Sequence, residues 1–166
     1  MKETDSISIQ REILLLSNKK AEEYYSEAER MAEKALEAKL PKTQVSNMLN
    51  IINTTTSSTE FLNYLKRQIG KAHSSPKSSS RLSTNKVSAW TTKVRINQDS
   101  NEEKLFGEAL VEKLENVRQQ AIFDADDSKE KMEIEDKIKL SILYLRQFLK
   151  AFEAHYLYNS PELLDK

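Results

Sequence analysis

The sequence predicts an all-α fold: a single-domain helical bundle of about five to six helices, with a long N-terminal helix and a Ser-rich basic loop. Three observations carry this. Only two glycines and three prolines occur in 166 residues, with 38% hydrophobic and 31% charged content, a bias that favours long helices over sheet. Apolar residues recur at spacings of three and four along most of the chain. Ser/Asp–x–x–Glu pairs, which cap helix starts, stand before three of the periodic runs. The length suits one domain over residues 1–166 and is enough to bury a core.

Residues 6–39 read as one long helix. Leu14, Ser17, Ala21, Tyr24, Ala28, Met31 and Ala35 share a face, and its alanines let a neighbour approach closely. At about 1.5 Å per residue the helix spans on the order of 50 Å, so it either projects or splits in two. Leu40-Pro41 stops it. A short helix follows in "KTQVSNMLNIIN", with Val45, Met48, Leu49 and Ile52 inward and Thr43 as candidate N-cap.

Ser57 followed by Glu60 opens a third helix over 58–72. Phe61, Leu62, Leu65, Ile69 and Ala72 fall within about 100° of arc. Arg67 and Lys71 lie on the opposite arc, with Lys66 at its edge. Residues 73–98 read as a flexible basic insert, Ser-rich at first. Its second part, "VSAWTTKVRIN", has β-like composition and fits a short strand, an extended segment or a poor helix.

A C-terminal helical hairpin is expected over 100–158. Ser100 and Glu103 form a capping box for a helix to 123, with Phe106, Leu110, Leu114, Val117 and Ala121 inward. After the turn "DADDS", Asp127 and Glu130 resemble another cap. The last helix buries Ile138, Ile142, Leu145, Leu149, Phe152 and Tyr156, with Tyr144 and Phe148 widening the face. Lys139, Arg146 and Lys150 form a separate cationic stripe.

The net charge is zero, but its layout is uneven. Residues 61–98 hold eight basic and no acidic side chains, and residues 99–136 hold thirteen acidic and five basic. Such windows suit a polyanion and a cationic partner respectively, or they face each other within the fold or between copies. The cations are Lys66, Arg67, Lys71, Lys77, Arg81, Lys86, Lys93 and Arg95. Binding a nucleic-acid backbone needs only cations placed where phosphates pass. Trp90 is a candidate stacking platform for a base; anchoring the irregular segment in the core is the competing, slightly favoured reading. Without a base-reading motif, binding should be largely independent of sequence.

No catalytic constellation is evident. His73 and His155 lie in different elements, and neither has a sequence-near partner of catalytic type. No Gly-rich phosphate loop occurs. Asp124, Asp126 and Asp127 lack the glycine and closing glutamate of a calcium loop, so no metal or cofactor is expected. With no cysteine, a polar N-terminus and no apolar run near 20 residues, a cytoplasmic, membrane-free protein is expected.

"LPKTQVSNMLNIINTTTSSTEFLNYLKRQIGKA" resembles the N-terminal part of the small helical subunit of type III CRISPR–Cas effector complexes, Csm-type or Csm-like. Thr43, Gln44 and Val45 match a helix start, and Gln68, Ile69, Gly70 and Lys71 match a closing turn in which Lys71 replaces an arginine. That keeps the charge but weakens bidentate phosphate contact. Phe148, Phe152, Glu153, Ala154 and Tyr156 are similar to the family's last helix. The likeness covers residues 40–72 and 100–158, leaving out the first helix and the insert.

The resemblance implies a non-catalytic subunit, not an enzyme. It implies stacking in several copies beside backbone and large subunits, with contacts to the CRISPR RNA and target RNA through basic surfaces. Lys66, Arg67, Lys71, Lys77, Arg81, Lys86, Trp90, Lys93 and Arg95, with Lys139, Arg146 and Lys150, are the RNA-binding candidates. Glu108, Glu112 and Glu115 are the subunit-interface candidates, from the charge layout. The alternative is a helical protein–protein adaptor with no nucleic-acid role, working through the long first helix and the acidic window.

Overall fold

A computed structural model describes residues 2–74, 88–97, 99 and 101–160. Five α-helices dominate: α1 (Lys2–Glu37), α2 (Lys42–Thr54), α3 (Ser58–Ser74), α4 (Phe106–Asp126) and α5 (Ile134–Tyr158). Between α3 and α4 lie a 3-10 turn (Ala89–Thr91) and two short strands, β1 (Lys93–Arg95) and β2 (Glu103–Leu105). The all-α expectation holds.

Helix α1 neither projects nor splits. It runs parallel to α5, from the Lys139–Gln10 side-chain bond through Gln147 Nε2 to Ser17 Oγ at 3.3 Å to the Tyr156 hydroxyl, which donates to the Leu40 carbonyl at 2.5 Å. Its buried line is Ile13, Ser17, Tyr24, Ala28, Met31, Ala32 and Ala35. Leu14, expected inside, is 58% exposed, and Ile13 takes its place. The helix ends where Lys39 adopts φ 62° and the Leu40 N–H reaches back to the Ala35 carbonyl at 2.9 Å. This is a left-handed closing turn, and Pro41 then prevents continuation.

Helix α5 is the hub, packed against α1, α2, α3 and α4. Leu140, Tyr144, Leu145, Phe148, Leu149, Phe152 and Tyr156 are fully buried, as their spacing requires. Ile138 is an exception at 43% exposure. The cap of α5 differs from the expected Asp127/Glu130 pair. Glu133 and Asp136 form the capping box, and the Glu133 N–H donates to Asp136 Oδ2 at 3.0 Å. For α2 the N-cap is Pro41, and Thr43 lies inside the first turn. The Ser57 hydroxyl does accept the Glu60 N–H at 3.2 Å, so α3 starts as read.

The largest departure is at 88–105. The ambiguous segment folds as the 3-10 turn and β1, and β1 pairs antiparallel with β2 in the register Lys93↔Leu105, Val94↔Lys104, Arg95↔Glu103. Glu103 is therefore extended and caps no helix. The Phe106 N–H donates to the Thr92 carbonyl at 2.8 Å, and α4 begins there. Backbone pairing with β1 thus overrides the capping signal at Ser100/Glu103.

Candidate nucleic-acid interface

The basic candidates divide by environment. Lys77, Arg81 and Lys86 lie outside the described residues. Arg67 and Lys71 stand on the exposed face of α3, whose other side buries Phe61, Leu62, Leu65 and Ile69. Lys93 and Arg95 flank buried Val94 on β1, and strand alternation sends both to solvent. Helix α3 packs against the 3-10 turn that leads into β1, with Ile69, on the face opposite Arg67, toward Trp90. Arg67, Lys93 and Arg95 form no ion pair within 4 Å among the described residues, although Glu103 stands directly across the ladder from Arg95.

Three of the remaining candidates are committed elsewhere. Trp90 is 5% exposed and stacks on Phe106, with ring centroids 5.9 Å apart. The base-stacking role is therefore corrected to core anchoring, because the ring faces are covered. Arg146 donates through Nε to the Ile52 carbonyl at 2.9 Å, and through a terminal nitrogen to Asn53 and Thr55 carbonyls at 3.4 and 3.3 Å. It closes the C-terminal end of α2, whose last carbonyls lack helical partners, and its guanidinium is spent there. Lys139 bonds the Gln10 side chain across to α1. Lys150 remains exposed on α5.

Lys66 joins the two charge windows. Its Nζ lies 3.1 Å from Glu115 Oε1, while Glu115 Oε2 is 3.7 Å from Arg118. Of the other interface candidates, Glu112 pairs with Lys104 at 2.6 Å. Glu108 is exposed in the first turn of α4, where a carboxylate complements the helix dipole. The acidic window thus meets the basic one twice: α4 against α3, and β2 against β1. Facing within the fold was one of the arrangements its sequence allowed.

A second polar cluster was not foreseen. The Tyr144 hydroxyl donates to Asp124 Oδ2 at 2.6 Å, and Lys20 Nζ is 3.3 Å from the same oxygen and 2.7 Å from Glu23. Burial pulls Lys20 down, yet the Glu23 hydrogen bond and the Asp124 charge outweigh it and hold its pKa above the usual value. Burial pushes the Tyr24 and Tyr144 phenols well above the usual tyrosine range. Nearby carboxylates add to this at both, and Asp124 bonds directly to Tyr144. Two of the three aspartates weighed for metal make structural contacts, Asp124 here and Asp126 to Lys137 at 2.6 Å. No His/Cys/Asp/Glu group able to hold a metal occurs among the described residues. The periodicity of α1 placed Tyr24 inward, but no sequence signal pairs residue 20 with 124.

His155 is buried edge-on against Tyr25, with centroids 4.6 Å apart, while His73 is exposed at the end of α3. They sit on different elements. No described helix is long and apolar enough to cross a membrane. Comparison of the chain with protein-family models, curated proteins and solved structures gave no match.

Proposed function

We propose that this chain is a non-catalytic, RNA-binding structural subunit, of the kind its sequence resembles in type III CRISPR–Cas effector complexes. The observation that carries this reading is the set Arg67, Lys93 and Arg95: exposed cations of the acid-free window that form no ion pair among the described residues. Lys71 lies one turn from Arg67 on the same face of α3. Such a surface contacts phosphates rather than bases, so binding is sequence-tolerant and salt-sensitive. It is a smaller surface than the sequence suggested, since Trp90, Arg146, Lys139 and Lys66 serve the fold. Weak contacts of this size gain strength when several copies line one strand. The partners in this reading are guide and target RNA, the backbone and large subunits, and further copies of the chain.

A second reading, a helical protein–protein adaptor, is favoured by one specific feature. Ile7, Leu14 and Tyr25 are each about 60% exposed on α1 and fall within about 20° of one line along it. Co-purification of the tagged protein from its native host, with sequencing of bound RNA, separates the two. Short RNAs of uniform length with repeat-derived ends are the expected result. Protein partners without RNA, even after crosslinking, would replace the RNA reading with the adaptor.

A further inference from the structure

A cleft of about 250 Å³ opens between α1, the β-hairpin and α4. Arg30 and Lys34 come from α1, Lys104 from β2 and Lys113 from α4. Its two carboxylates are already engaged: Glu27 by Lys113 at 2.8 Å and Glu112 by Lys104 at 2.6 Å. Arg30 and Lys34 form no ion pair among the described residues. Lys34 Nζ is held by the Arg95 and Ile96 carbonyls at 2.7 and 3.1 Å. Among the described residues no carboxylate lies within 4 Å of it, and the ammonium is partly buried. Arg30 stands one turn earlier on the same side of α1, and like charges at this spacing repel. Met31, Ile96 and Ala109 supply apolar lining, and Asn97 and Asn116 supply amides. The adjoining groove shares Arg30 and Lys34 with the cleft and adds Arg95, Glu33, Glu37 and Asp99; none of these three carboxylates forms an ion pair with either cation among the described residues.

We propose that this cleft seats a single nucleotide unit, its phosphate between Arg30 and Lys34 and its base against the Met31–Ile96–Ala109 lining. The phosphate supplies a counter-ion and relieves the Arg30–Lys34 repulsion. The volume lies just below the usual range for small-molecule pockets, which fits one nucleotide with an open side and nothing larger. The nucleotide is either free or part of an RNA strand. The inference rests on the RNA-binding reading for the second source only.

The test is calorimetric titration of the full chain with AMP, UMP and inorganic phosphate, with a 20-nucleotide single-stranded RNA as competitor. Wild type should bind the mononucleotides more tightly than phosphate. R30E should lose at least tenfold, while R67E/K93E should bind them as wild type does. Competition by RNA would mark the strand as source, and simultaneous binding would mark the free nucleotide; both support the site. No mononucleotide binding at millimolar concentration, or equal binding by R30E, would overturn it. R67E/K93E tests the RNA surface separately, so RNA binding without mononucleotide binding would sink this inference and leave the earlier reading intact.

Discussion

Lys66 of the basic window and Glu115 of the acidic window form an ion pair at 3.1 Å, bridging α3 and α4. A residue expected to meet RNA and one expected to meet another subunit meet each other. Lys66 is half exposed and Glu115 one-third exposed, so the pair is worth on the order of 0.2–1 kcal/mol and is screened by salt. A double-mutant cycle of K66A and E115A in urea should return a coupling in that range, falling as salt rises. A coupling of zero would mean that the two windows merely lie side by side.

Trp90→Ala should cost about 3–5 kcal/mol in stability, because it empties the site against Phe106. Denaturant titration followed by circular dichroism checks it. Trp90 is the only tryptophan, so its fluorescence reports the same environment. Its emission should be that of a buried indole and should stay unchanged when RNA is added.

The two glycines should respond in opposite directions. A Cβ on Gly107 would lie 2.6 Å from Ile69 Cγ1 and 2.9 Å from the Trp90 carbonyl oxygen. Gly107→Ala therefore forces α4 away from α3 and should cost about 1–3 kcal/mol. A Cβ on Gly70 meets nothing within 4 Å among the described residues, and Gly70→Ala within the helix should gain up to about 1 kcal/mol. Urea midpoints of the two variants check both signs.

Arg146→Ala should lower stability by about 1–3 kcal/mol, since it strips carbonyl partners from the end of α2. RNA affinity should not change. Arg146→Lys should recover little, because an ammonium cannot reproduce the three-carbonyl fork.

Tyr24 and Tyr144 give the fold an alkaline limit. Both phenols have folded-state pKa values above the ordinary value of 10.0, first through burial. The folded state therefore holds these protons more tightly than the unfolded chain does. The resulting stability is complete below about pH 10 and is lost as pH rises beyond it. The Tyr24 hydroxyl has no hydrogen-bond partner among the described residues. Tyr24→Phe should then leave stability at pH 7 unchanged or slightly higher, and flatten the decline measured between pH 9 and 11.

How much was legible depended on whether the deciding contact was local. The 3–4 spacing of α5 exposed its role as central helix, because burial on a helix follows the sequence period. The same logic misplaced Leu14 by one position, since Ile13 and Leu14 both fit a stripe of that width. The hairpin was hidden. Glu103 follows Ser100 as a cap would, and only pairing with Arg95, eight residues back, makes it a strand. Trp90 and Arg146 carry the chemistry of an RNA site, but stacking on Phe106 and binding of α2 carbonyls are long-range contacts that composition does not encode. Arg30 was overlooked because it lies in an acidic stretch. Its place in the cleft emerges only in the fold, where Glu27 pairs with Lys113 instead.

The account stands or falls on whether Arg67, Lys93 and Arg95 meet phosphates. The direct measurement is fluorescence anisotropy of a labelled single-stranded RNA against wild type and R67E/K93E/R95E, from 50 to 300 mM salt. The account predicts at least tenfold weaker binding by the variant. It also predicts a log K versus log salt slope smaller by about two, since each lost contact to a single strand removes about 0.7. Equal affinity and equal slope in the two proteins would contradict it.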